Sequence, residues 1–258
     1  GGPELVCLFS GVASLMYAPA AIYLFVTHEA AFTSTQYGFM AGTAALHLVY
    51  FVLLQEGYRR GDLSLVYPTA RATGPLLSAS FAVIVLHERI SVQTALGGLV
   101  IVAGVLCLAG GVRRGGPRAP VSLAFGLAVG VLIGIYTVWD AHAVKVLAVP
   151  PLILDYCGNI GRAVFLSPIG YARRDIVARC WREHWKGLLV VGLLTPLSYI
   201  LVLYALTFTS VVYVAPAREV SVLIAILMGS VLLKEGDLRR RLFWGAVILV
   251  GMVLLATG

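Results

Sequence analysis

The chain repeats itself at an offset of 147 residues, and both copies are strongly apolar: Arg71, Glu88, Gly98 and Gly104 align with Arg218, Glu235, Gly245 and Gly251. Pro3, Leu5 and Gly11 likewise match Pro150, Leu152 and Gly158, and Leu65-Val66-Tyr67 ahead of the first Arg is echoed, with one residue inserted, by Val211-Val212-Tyr213 ahead of the second. A duplicated apolar unit is the mark of a membrane protein built from two halves, with transport as the first hypothesis. Composition agrees. The chain is 60% hydrophobic and 12% charged, against roughly 45–50% apolar residues in a soluble domain.

A membrane-spanning helix needs about 20 mostly apolar residues. Nine segments qualify: 4–26, 37–56, 62–86, 92–111, 121–146, 150–171, 187–207, 209–233 and 242–257. The expected fold class is therefore all-α, a polytopic membrane helical bundle. Residues 187–233 are too long for one span, and Thr207, Thr209 and Ser210 offer a turn and N-cap between two. The longest connection, 172–186, is basic, contains two Trp, and is expected at a lipid headgroup surface. By the offset the first repeat occupies 1–111 and the second 121–258. The first then has four segments and the second five, so an N-terminal helix is expected to precede residue 1 in the parent protein. An odd helix count per repeat makes the two halves inverted.

If the segments alternate, one membrane face receives the connections 57–61, 112–120, 172–186 and 234–241, which hold 14 of the 19 basic residues. That bias places residue 1 on the cytoplasmic side and residue 258 outside. The net charge of +7 thus reflects membrane orientation rather than nucleic-acid binding. The expected partners are the lipid bilayer and a small-molecule substrate; a homodimer stays open. Cys7, Cys107, Cys157 and Cys180 form no CxxC, so neither a metal nor a cofactor is expected.

Ionisable residues inside spans cost free energy, about 2.5–3.5 kcal/mol for a central Arg on insertion scales, and each needs a reason. Arg71 and Arg218 occupy repeat-equivalent places. They are either packing partners or substrate-facing cations; Arg162, mid-span in 150–171, poses the same choice. Tyr67, Tyr213 and Tyr136 could stack on a substrate or sit at the interface. Asp140, Glu219 and His142 are the proton-coupling candidates, because carboxylates and imidazoles carry protons in pumps and transporters. Pro68, Pro75 and Pro216 kink helices beside the arginines. Gly126, Gly130 and Gly134 form consecutive GxxxG steps for close helix packing. Glu88 and Glu235 suit helix starts.

Gly61-Asp-Leu-Ser-Leu-Val-Tyr-Pro-Thr-Ala-Arg, Leu86-His-Glu-Arg-Ile and Gly97–Gly104, with a second set in Ala217-Arg-Glu-Val-Ser, Leu233-Lys-Glu and Gly245–Gly251, resemble the EamA branch of the drug/metabolite transporter superfamily. The resemblance implies two inverted five-helix repeats around a central substrate cavity. It also implies cytoplasmic termini, where the charge count puts the C-terminus outside. Three functions follow: a secondary transporter, chiefly an exporter of a small metabolite or amphipathic compound, with proton coupling as one option; an obligate exchanger of an anionic metabolite such as a sugar phosphate; or, from another class, a membrane enzyme or assembly subunit. No HExxH, GxSxG or GxxxxGK[ST] motif supports catalysis, and the expected location is the cytoplasmic membrane of a bacterium.

Overall fold

The computed structural model describes residues 2–27, 32–61, 63–85, 87, 91–108, 119–218, 221 and 238–258. Among these residues the secondary structure is helical throughout, with no strand: α1 (Pro3–Thr27), α2 (Ser34–Arg60), α3 (Leu63–Val85), α4 (Val92–Leu108), α5 (Ala119–Lys145), α6 (Pro151–Ala172), α7 (Arg174–Phe208), α8 (Val211–Ala217) and α9 (Leu238–Thr257). The rest of the expected span 209–233, together with Glu88, Glu219 and Glu235, lies outside the described residues.

Local chemistry sets the helix ends. Thr33 and Gln36 form a reciprocal capping box at the start of α2: Gln36 N–H donates to Thr33 Oγ1 (3.3 Å), and Thr33 N–H to Gln36 Oε1 (2.8 Å). Ser91 caps α4 through Thr94 N–H at 3.0 Å. The break expected near 207–210 is present, with Ser210 Oγ accepting Val212 N–H at 3.2 Å. After α5, Ala148 takes a left-handed φ of 53° and Val149 N–H returns to the Ala143 carbonyl at 3.0 Å. This left-handed stop ends α5, and Pro150-Pro151 then starts α6.

The connection 172–186, which holds Cys180, differs from the loop expected there. Residues 174–183 are helical, because they hold no Gly or Pro and space Ile176, Val177, Cys180 and Trp181 along one side. The break falls instead at His184 (φ −132°, ψ 22°). Arg173 is fastened to Glu4 of α1 by an ion pair of 3.1 Å.

Four described helices are both long and apolar enough to cross a membrane: α1, α2, α5 (from Pro120) and α7. Shorter apolar stretches lie in α3, α4 and α9. α6 is 22 residues long, yet Asp155, Asn159 and Arg162 dilute its hydropathy.

The chain divides into two compact units, Gly1–Glu56 with Trp139–Phe208 and Gly57–Val138 with Thr209–Gly258. Neither unit is one sequence repeat. The first contains α1 and α6, which are equivalent under the repeat offset and pack on each other, with α7 against both. The second contains α3 packed on α8 and α4 packed on α9, again equivalent pairs. In that second unit the GxxxG glycines of α5 do pack closely. A Cβ at Gly126, Gly130 or Gly134 would come within 2.6, 2.6 and 2.9 Å of Thr69, Thr73 and Leu77 of α3.

A buried polar cluster as candidate functional site

Within the first unit, helices that are otherwise apolar bring eight polar side chains together. α6 contributes Asp155, Asn159 and Arg162, spaced i, i+4 and i+7 and therefore on one face. Their residue exposures are 4, 4 and 5%. Asn159 joins the other two: its Nδ2 donates to Asp155 Oδ2 at 2.8 Å, and its Oδ1 accepts from Arg162 Nη2 at 2.7 Å. Arg162 Nε donates to Ser10 Oγ of α1 at 3.3 Å, and the guanidinium lies 4.7 Å from the centroid of the Phe51 ring. At about 1.5 Å rise per residue, Asp155 stands roughly one turn inside the start of α6 and Arg162 near its middle.

The second half of the cluster centres on Asp140, near the end of α5 and fully buried. Thr43 Oγ1 of α2 donates to its Oδ1 at 2.6 Å, and Tyr199 OH of α7 donates to its Oδ2 at 2.5 Å. His47 Nε2, one turn beyond Thr43, is 3.5 Å from the same Oδ2. Two helices, α2 and α7, thus converge on a carboxylate carried by a third, the kind of polar contact that specifies helix association inside a membrane.

Gly158 lies where the two halves meet. A Cβ there would stand 3.5 Å from His47 Nδ1, 3.6 Å from Arg162 Nη1 and 3.8 Å from Thr43 Cγ2, all ordinary contacts. Gly158→Ala should therefore be neutral within about 0.5 kcal/mol, the scale of a substitution that disturbs nothing. Gly158→Leu must push apart His47 and Arg162 and should cost about 1–3 kcal/mol as overpacking. Thermal unfolding of the two variants in lipid nanodiscs checks this; equal loss in both would contradict the geometry.

Charge is the cluster's chief chemical property. Among the described residues of the first unit, the buried ionisable side chains are Asp140, Asp155, Arg162 and His47. With neutral imidazole, two carboxylates face one guanidinium. In a low-dielectric interior such an imbalance is expensive. One added positive charge restores neutrality, and a proton is the smallest.

The residues singled out from sequence fall in different places. Asp140 is in the cluster. His142 instead stacks on Phe39 (centroids 5.2 Å apart), which also stacks on Trp139 (4.1 Å); residues two apart on a helix point to different sides. Arg162 joins the cluster. Arg71, Arg218, Tyr67, Tyr213 and Tyr136 belong to the second unit. There Arg71 is half-buried, its guanidinium 5.5 Å from the Tyr67 ring centroid. Tyr67 and Tyr213 pack against the buried pair Ile101 and Ile248, and Tyr136 is 4% exposed. Arg218 closes α8, its N–H donating to the Val214 carbonyl at 3.1 Å. Sequence reasoning does not single out Ser10, Thr43, His47, Asp155, Asn159 or Tyr199. The polar stripe at i, i+4 and i+7 on α6 is the signal that points to three members.

A family model described as the EamA-like transporter family matches residues 4–110 and 121–257, that is, both copies of the repeat. Among solved structures, one titled only as the crystal structure of a protein is similar over 99% of this chain and 89% of its own, with a TM-score of 0.76 and 14% sequence identity. At that identity the likeness speaks for the fold alone.

Proposed function

The chain belongs to the EamA-like transporter family, and from that premise we propose that it is a proton-coupled secondary transporter, an exporter of a small metabolite or amphipathic compound working by alternating access. The family and the apolar helices make it an integral membrane protein; we place it in the cytoplasmic membrane of a bacterium. The observation that carries proton coupling is the buried cluster of two carboxylates, one guanidinium and one imidazole. A buried group of carboxylates and an imidazole beside a guanidinium can gain a proton at one stage of a cycle and release it at another, and intramembrane carboxylates and histidines are the groups that do this. Asp140 anchors the cluster, with Thr43, Tyr199 and His47 holding its orientation. In this reading Arg71 and Arg218, with Tyr67, Tyr213 and Tyr136, meet the substrate.

A second reading, exchange of an anionic metabolite, is favoured by Arg71 beside the face of Tyr67 and by Arg218 at the repeat-equivalent position, since guanidinium groups suit carboxylate and phosphate. Proteoliposomes loaded with a pH dye and challenged with panels of amphipathic acids and sugar phosphates separate the two. Proton-coupled export predicts substrate-dependent pH changes that Asp140→Asn removes. Exchange predicts counterflow that persists when the proton gradient is collapsed. Arg71→Ala and Arg218→Ala should each lower apparent affinity about tenfold or more, the equivalent of about 1.4 kcal/mol. Unchanged kinetics in both variants would remove them from the substrate site.

A further inference from the structure

We infer that the exchangeable proton of the cluster resides on Asp155, and that Asn159 is a positioning residue that keeps Asp155 available by holding Arg162 away from it. The two carboxylates are supplied with donors very differently. Asp140 faces two hydroxyls, from Thr43 and Tyr199, with His47 Nε2 beside them. That donor set gives each of the carboxylate's two oxygens a hydroxyl partner. Among the described residues, Asn159 Nδ2 is the one side-chain donor to the Asp155 carboxylate. Asp155 is nevertheless 4% exposed, so water does not make up the difference. The guanidinium on the same helix face would be its natural counter-ion, but it is engaged elsewhere, with Asn159 Oδ1, Ser10 Oγ and the Phe51 ring.

Asn159 is suited to this separation because an amide presents a donor at one end and an acceptor at the other. A carboxylate or an alkyl chain at 159 could not serve both neighbours. The amide lies between two opposite charges that would otherwise collapse into a direct pair, strongly attractive where the dielectric constant is low. A direct pair would fix Asp155 as a carboxylate and take it out of proton exchange. Among the described residues, groups in electrostatic range of Asp155 include Asp140 from α5, Tyr17 from α1 and Cys157 on its own helix, besides Arg162. Of these Arg162 alone is a cation, so it is the group whose distance decides whether Asp155 accepts a proton.

The inference rests on proton coupling for its role in the cycle, but its test needs no substrate and no flux. Full-length protein in nanodiscs is titrated from alkaline to acidic pH and followed by infrared difference spectroscopy, which reads the carbonyl band of a protonated carboxyl group. The wild-type chain should develop such a band, Asp155→Asn should lose it at every pH, and Asp140→Asn should keep it but displaced toward acid, because one carboxylate fewer then faces Arg162. Asn159→Ala should also lose the band at the pH where the wild-type chain shows it. Asn159→Gln, which retains an amide, should keep it. Asn159→Ala combined with Arg162→Gln should regain it, because no guanidinium remains to pair. A band lost in Asp140→Asn but kept in Asp155→Asn would overturn the assignment while leaving proton coupling intact. So would proton uptake without a carboxyl band, which places the proton on His47. An Asn159→Ala effect that persists in the Arg162→Gln background would overturn the positioning role. Failure of proton-linked flux with the band behaving as described would sink the transport reading and leave the site standing.

Discussion

Arg162→Ala is expected to be the most destabilising single substitution in the polar cluster, by about 3–5 kcal/mol, the cost of removing one partner of a buried charged group. It leaves two buried carboxylates, Asp140 and Asp155, with no permanent cation in the cluster. Asp140→Ala makes the instructive contrast. It removes a hydrogen-bonded carboxylate but leaves Asp155 and Arg162 balanced, so its penalty comes from the polar interactions with Thr43, Tyr199 and His47 that disappear with the carboxylate. Interhelical hydrogen bonds inside membranes average about 0.6 kcal/mol, so three such interactions come to roughly 2 kcal/mol. The order, Arg162→Ala worse than Asp140→Ala, tests the charge argument more sharply than either value. The sign of the pH effect follows as well. Protons neutralise carboxylates that have lost the guanidinium, Asp155 foremost, so the Arg162→Ala penalty should shrink as pH falls. Unfolding in nanodiscs across a pH series measures both. A larger loss for Asp140→Ala, or a penalty that grows toward acid, would mean that hydrogen bonding rather than charge governs the cluster.

What the sequence revealed follows from what each signal depends on. Helix identity depends on runs of apolar residues, and these are local. So is the cap at Ser210, where a side chain bonds a backbone N–H two residues on. The Thr33–Gln36 box lengthened α2 beyond the apolar stretch 37–56, because capping residues are polar and lie outside the span they start. Residues 172–186 misled because polarity suggests a loop, whereas unbroken helix formers without Gly or Pro continue as helix to His184. The cluster divides on the same line. Asp155, Asn159 and Arg162 sit on one helix face and are legible as a stripe. Asp140 and Thr43 are 97 residues apart, and Tyr199 is 59 from Asp140. Nothing in the spacing of a Thr, a His and a Tyr marks them as partners of that carboxylate; only tertiary packing does.

The repeat itself proved more informative about packing than about division into units. Helices equivalent under the offset pack against each other, α1 on α6 in one unit and α4 on α9 in the other. A duplicated pair can use one interface chemistry twice, so the residues recurring at the offset should include the small ones that allow close approach. Gly104 and Gly251 fulfil this. They face Ile248 and Ile101, two fully buried residues that themselves recur at the same offset. Each glycine receives the isoleucine of the other copy.

That reciprocity is imperfect, and the imperfection predicts unequal effects. A Cβ at Gly104 would stand 2.6 Å from Ile248 Cγ1, the atom of a side chain that can be shortened or turned. A Cβ at Gly251 would stand 2.9 Å from the Gly97 carbonyl oxygen, and 2.9 Å from both Cγ1 and the backbone N of Ile101. Backbone cannot retreat without parting the two helices. Gly251→Ala should therefore cost more than Gly104→Ala, both within the roughly 1–3 kcal/mol typical of overpacking. Compensation separates the cases further. Ile248→Ala should relieve much of the Gly104→Ala penalty by removing the colliding atom, giving a favourable coupling in a double-mutant cycle. Ile101→Ala should leave most of the Gly251→Ala penalty in place, because the carbonyl of Gly97 and the amide of Ile101 remain. Rescue of both variants to the same extent would show that side-chain volume alone limits the approach of α4 and α9; rescue of the first alone would show that at Gly251 the two helix backbones are already in contact.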